Sequence, residues 1–245
     1  MFAPEGVAAS LFDTLGSTNV TAKQWVSDGF DASVPHWVLA KSQTAGRGRL
    51  GRDWATNSGN FAGSLIIKVR AFERVLNFLP LAIGLAVRQT IASYLADPSR
   101  VLVKWPNDVL VDGAKISGIL MERTDGPGGD CLVIGIGINL SSAPSETLFQ
   151  ATSLKALGVS VPAVSSFFEK LSSEVAAVLD RLQNTAPSTL LSEWRSFAYG
   201  IGERRPVTLD KEKVFATLLH LNDDASLSVR LDDGQIIRLY AGDIG

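Results

Sequence analysis

Lys41-Ser-Gln-Thr-Ala-Gly-Arg-Gly-Arg-Leu-Gly-Arg-Asp-Trp54 interleaves three glycines (Gly46, Gly48, Gly51) with three arginines (Arg47, Arg49, Arg52) and closes on a tryptophan. Glycine lets a backbone approach a ligand closely but is costly to order. Arginine is permanently charged and presents a planar fork of donors to carboxylate or phosphate. A segment this flexible and cationic has little to order it except an anion, so it reads as an anion-clamping loop; a solvated Arg/Gly turn is the plain alternative. The glycines also spell G-x-G-x-x-G after a strand-like run, Trp37-Val-Leu-Ala40. A dinucleotide fold needs an apolar helix next, whereas Arg52-Asp-Trp-Ala-Thr-Asn-Ser-Gly-Asn60 is turn chemistry. A Rossmann unit is therefore rejected. A P-loop fails too, because no Gly-Lys-Ser/Thr ends the run.

Working outward, strand 36–43 enters the loop and strand 61–69 leaves it. Ahead of them, 9–15 reads as a short strand, and Gly16-Ser17-Thr18-Asn19 opens a helix that runs to about Asp28. Ser17 or Thr18 fits an N-cap or a ligand contact equally well. Residues 74–96 carry Leu76, Leu79, Ile83, Val87, Ile91 and Leu95 at helical spacing. In 101–122, Asp112-Gly113 signals a two-residue hairpin, and period 2 places Lys115, Ser117, Ile119 and Met121 on one face. A lysine in an apolar strand must reach water or an anion. The cluster Lys104-Trp-Pro-Asn-Asp108 fits a polar turn or part of an anion site. In 131–140, Leu132, Ile134, Ile136, Ile138 and Leu140 face one way; Val133, Gly135, Gly137 and Asn139 face the other. The second face is a floor without side chains, or else a β-bulge. Helices follow at 163–182 and 187–198. From about Gly200, short strands at 206–209, 214–221, 227–231 and 236–240 suggest a small appended β-barrel.

The chain has 245 residues, 46% hydrophobic, with a formal charge of −2 and a pI of about 5.7. That size supports a well-buried core in one or two domains. The acidic balance argues against a protein that coats nucleic acid, so no DNA binding is expected. One cysteine, Cys131, excludes an internal disulfide and suits the cytoplasm. Met1-Phe-Ala-Pro-Glu-Gly6 lacks signal-peptide features, and no membrane span is expected. His36 and His220 form no metal-ligand spacing, and no nucleophile–histidine pair or G-x-S-x-G elbow points to an acyl-enzyme.

Ser17-Thr18-Asn19, Gln43 to Trp54, Lys104-Trp-Pro-Asn-Asp108, Lys115-Ile-Ser-Gly-Ile-Leu120 and Gly135-Ile-Gly-Ile-Asn139 together resemble the biotin protein ligases in order and spacing. The likeness covers roughly residues 11–140 strongly and the rest loosely. It implies an α+β fold: a mixed, mostly antiparallel sheet flanked by helices, of the class II aminoacyl-tRNA-synthetase-like type, over 1–199. A small SH3-like β-barrel would follow over 200–245. It implies ATP-dependent activation of biotin with Mg²⁺, then transfer from biotinyl-5′-AMP to a lysine of a biotin carboxyl carrier domain, as in biotin–[acetyl-CoA-carboxylase] ligases. Lys115 and Arg49 take the catalytic positions. Ser17, Thr18, Asn19, Gln43, Gly46, Arg47, Gly48, Arg49, Lys115 and Gly118 match biotin-binding positions. Arg49, Arg52, Trp54, Lys104, Asn107, Lys115 and Asn139 match ATP-binding positions, with no protein-held metal. The catalytic pattern begins within twenty residues, so the expectation is a ligase without a helix-turn-helix repressor module. A homodimer is compatible with this reading. A lipoate–protein ligase using the same adenylate chemistry is the alternative.

Overall fold

The computed structural model describes residues 8–145, 150–209 and 212–245; the amino-terminal hexapeptide read above lies outside them. A seven-stranded sheet carries the chain to Ile138: β1 (Ala8–Leu15), β2 (His36–Gln43), β3 (Phe61–Lys68), β4 (Val101–Lys104), β5 (Asp108–Val111), β6 (Ala114–Thr124) and β7 (Cys131–Ile138). The spatial order is β1-β2-β3-β7-β6-β5-β4. Only β1 and β2 run parallel; every other neighbour is antiparallel. Mixed pairing of this kind is the expected α+β sheet.

Its two faces are unequal. One is covered by α2 (Leu79–Ala92) and α3 (Val164–Asn184), which close over Leu132, Ile134, Ile136 and Ile138. The other carries only α1 (Thr18–Ser27), whose Ala22 and Val26 pack on Val38, Ile66, Cys131 and Val133. The alternation read in 131–140 therefore divides two real cores. Beyond the amino-terminal end of α1 the loop carrying Trp54 lies over the second face, and that is where the site lies.

Residues 74–96 do not form one helix. Glu73–Phe78 is a 3-10 segment with Val75 at φ −131°, and α2 starts only at Leu79. Pro80 lacks an N–H and fits only the first helical turn, so the α-helix cannot begin earlier. By length and composition Glu73–Ala92 is apolar enough to cross a membrane, which the sequence reading did not flag. It is instead a core element, with Leu79, Ile83, Val87 and Ile91 fully buried. The Asp112-Gly113 hairpin is present, both residues at positive φ (51° and 78°) as a primed turn requires.

After α4 (Pro187–Ser196) the chain forms a second, four-stranded antiparallel sheet. It comprises β8 (Arg204–Leu209), β9 (Glu212–Leu221), β10 (Leu227–Leu231) and β11 (Ile236–Leu239), and Val207 bridges to Ile244, consistent with an SH3-like barrel. Trp105 Nε1 donates to the Ala225 carbonyl at 3.1 Å, docking this sheet beside the β4–β5 turn.

Candidate active site

The floor of the site is glycine. Gly118 of β6 pairs with Gly137 of β7, and Gly135 pairs with Leu120. A Cβ at Gly137 would fall 2.3 Å from the Trp54 indole, and one at Gly135 would fall 2.2 Å from the Asn19 amide oxygen. The missing side chains thus make room for Trp54 and Asn19, and Gly118, Gly135 and Gly137 all line the cavity beside them.

Lys115 reaches this floor because β6 is irregular. The β5–β6 register shifts between Val109 and Leu110, pairing Val109 with Ser117 and Leu110 with Lys115. One residue is left over, a bulge that breaks the period of two. The expected face of Lys115, Ser117, Ile119 and Met121 is therefore wrong: Ile116 and Ile119 both enter the core, and Lys115 lies over Gly118. Its Nζ sits 2.6 Å from Asp108 Oδ1. That oxygen is buried without a well-aligned hydrogen bond among the described residues, so the charge of Lys115 balances it.

Arg49, Arg52 and Lys104 also face polar or acidic groups. Arg49 donates to Asn107 Oδ1 at 2.9 Å. Burial pulls its guanidinium below the ordinary range, and the carboxylates of Asp243 and Asp108 oppose that shift. Arg52 forks onto Asp243 at 2.8 and 3.0 Å, tying the loop to the last residues of the chain. Lys104 is buried and faces Asp108 across β4–β5; burial lowers its pKa, with Asp108 opposing.

At the other end, Gln43 caps α1 from 25 positions away. Its Oε1 accepts from Thr18 N at 2.8 Å, with Thr18 Oγ1 at 3.1 Å, and its Nε2 donates to Thr56 Oγ1 at 2.9 Å. Ser17 occupies the N-cap position but makes no side-chain cap bond. Asn139 is committed to structure as well, its Nδ2 donating to the Thr152 carbonyl at 3.1 Å.

One cavity of about 350 Å³ joins these groups. Ser17, Thr18, Asn19, Gln43, Arg47, Gly48, Arg49, Arg52, Trp54, Asn107, Lys115, Gly118 and Asn139 all line it. Gly46 and Lys104 do not. Gly46 is needed for a different reason: a Cβ there would lie 2.3 Å from the Trp54 carbonyl oxygen, where the loop folds back on itself. Sequence reasoning left out Asp108, although it ends the quoted Lys104 cluster, and gave no part to Ser64, Glu122 or Asp243.

Residues 15–139 match the biotin/lipoate A/B protein ligase family. The chain belongs to that family. Among relatives, a biotin–[acetyl-CoA-carboxylase] ligase of Paracoccus denitrificans is 40% identical over 129 residues, 52% of each chain. The corresponding Mycobacterium tuberculosis ligase is 33% identical over 94% of this chain and 85% of its own. Among solved structures of this ligase family, the biotin protein ligase of Aquifex aeolicus in complex with biotin and ATP superposes with a TM-score of 0.83. It is 26% identical and covers 97% of both chains. That coverage takes in the second sheet as well as the first.

Proposed function

We propose that the protein is a biotin–protein ligase. The observation that carries this is a single cavity with a neutral, hydrogen-bonding end at Thr18 and Gln43 and a cationic end at Lys115 and Arg49. Biotin matches that polarity with an uncharged ureido head and a carboxylate tail. A carboxylate oxygen of biotin attacks the α-phosphorus of ATP, the bond to pyrophosphate breaks, and biotinyl-5′-AMP forms. The amine of a carrier-domain lysine then attacks the acyl carbon, AMP leaves, and the amide nitrogen loses a proton. Lys115 exchanges Asp108 for the two anions and holds them together; Arg49 and Arg52 close over the adenylate. The work is positioning and charge stabilisation. Mg²⁺ would arrive with the triphosphate; among the described residues no three His, Cys, Asp or Glu side chains cluster to hold it alone. Asp108 and the Asn107 amide oxygen, released from Lys115 and Arg49, would be the groups to meet it.

The acceptor is a biotin carboxyl carrier domain in the cytoplasm, and the units are 1–199 for catalysis and 200–245 for the barrel. Pyrophosphate release dependent on both biotin and ATP tests the reading, with K115A expected to lower the rate by about 10²–10³-fold. Release with lipoate but not biotin overturns it.

A further inference from the structure

Resting on the ligase reading, we propose that Glu122 is a positioning residue: acting through Asn19 and Ser64, it makes the Thr18 hydroxyl an acceptor for a ligand N–H. Asn19 Nδ2 lies 2.9 Å from Glu122 Oε2, and Lys23 holds the other carboxylate oxygen at 2.5 Å. Burial pushes the Glu122 pKa up, but Lys23 and Asn19 together hold it below the ordinary carboxylate range, so it is ionised. An ionised carboxylate only accepts. The Asn19 amide must therefore turn its NH₂ to Glu122 and its oxygen to Ser64.

Ser64 is fully buried, with its Oγ 2.6 Å from Asn19 Oδ1 and 2.8 Å from Thr18 Oγ1. It has one proton. Given to Thr18, it would leave two bare oxygens facing each other at the 2.6 Å contact. The proton therefore goes to Asn19, and Thr18 must donate its own proton to Ser64. Gln43 Oε1, which already accepts the Thr18 N–H, is 3.1 Å from Thr18 Oγ1, a longer contact than the 2.8 Å to Ser64, so the hydroxyl proton goes to Ser64. Thr18 Oγ1 then faces the cavity with lone pairs only, suited to the N–H of a ureido ring. The chain of polarity starts at one charged group three side chains away, and the Leu120 carbonyl, 3.4 Å from Asn19 Nδ2, favours the same amide orientation.

Glu122→Gln removes the charged constraint and leaves only the longer contact to the Leu120 carbonyl. A glutamine can offer N–H or C=O to Asn19, so the amide can invert, Ser64 can turn its proton to Thr18, and Thr18 can become a donor. The test is calorimetric titration of the full chain, without ATP, with biotin and with an analogue carrying a ring oxygen in place of one ureido N–H. The wild type should prefer biotin at least about tenfold, and E122Q should narrow that preference below about threefold. S64A, which frees the Thr18 hydroxyl, should narrow it equally, and the double variant should add nothing further. Glu122 is 31% exposed, so the isosteric change spares the core; S64A carries the same prediction if E122Q does not fold. An unchanged preference in either variant, or additive losses, overturns the relay. Failure of the wild type to bind biotin instead overturns the ligase reading beneath it.

Discussion

The sharpest consequence of the glycine floor concerns Gly137. In Gly137→Ala the new Cβ lies 2.3 Å from both Cε2 and Nε1 of Trp54, whereas ordinary contact begins at 3.4 Å. The indole must therefore retreat by at least 1.1 Å, the difference between those distances. The strand cannot yield, because Gly137 is paired to Ala62 on one side and Gly118 on the other, and its carbonyl accepts from Ser117 at 2.8 Å. The strain falls on the loop, where Trp54 N donates to the Gly46 carbonyl at 2.9 Å. Overpacking of this size costs about 1–3 kcal/mol, which displaces the loop from its docked position by roughly 5- to 150-fold. Trp54 is only half-buried, so global stability should hardly change. Steady-state pyrophosphate release should show KM for biotin and ATP raised together by about that factor, with Tm within a few degrees. KM values within twofold of wild type refute the argument that Trp54 must lie on this floor.

Asp243→Ala should release Arg52 and speed tryptic cleavage at Arg47, Arg49 and Arg52. The pair is partly exposed, so about 1 kcal/mol and roughly fivefold faster nicking is expected; an unchanged rate refutes the latch. Burial among Trp25 and Phe30 lowers the His36 pKa below its ordinary 6.5. The folded protein thus resists a proton that the unfolded chain accepts. His36 contributes its full stability above about pH 6.5 and loses it as pH falls through the lowered folded value. Thermal melts of H36Q should show a flatter loss as pH falls below about 6.5, and an unchanged slope refutes the assignment.

Much of the site was legible because its chemistry is local. The Arg/Gly loop, the Asp112-Gly113 turn and the alternation of 131–140 declare themselves within a few residues, and each lands where its pattern put it. Lys115 was recognised but placed on the wrong face, since a bulge leaves no mark on a period-two count. Ser64 was overlooked as one small residue in the apolar run Phe61–Lys68, and its importance arises only when α1 lays Thr18 and Asn19 beside it. Asp243 lies 191 positions from Arg52, and nothing local to either residue announces the pair.

The pairing of these cations also changes what the loop is for. A cationic loop waiting for an anion would gain its full charge attraction on ligand binding, and affinity would fall steeply with salt. Here Asp108 already holds Lys115 and Asp243 already holds Arg52. Binding then becomes an exchange of one carboxylate for another or for a phosphate, with little net gain in Coulomb energy. The two carboxylates keep the donors gathered and desolvated in advance, so less reorganisation remains when charge moves onto the adenylate. On the proposed function, selectivity comes from geometry: the hydrogen-bond polarity inferred at the Thr18 end, and the fit of Trp54 over glycine in the middle.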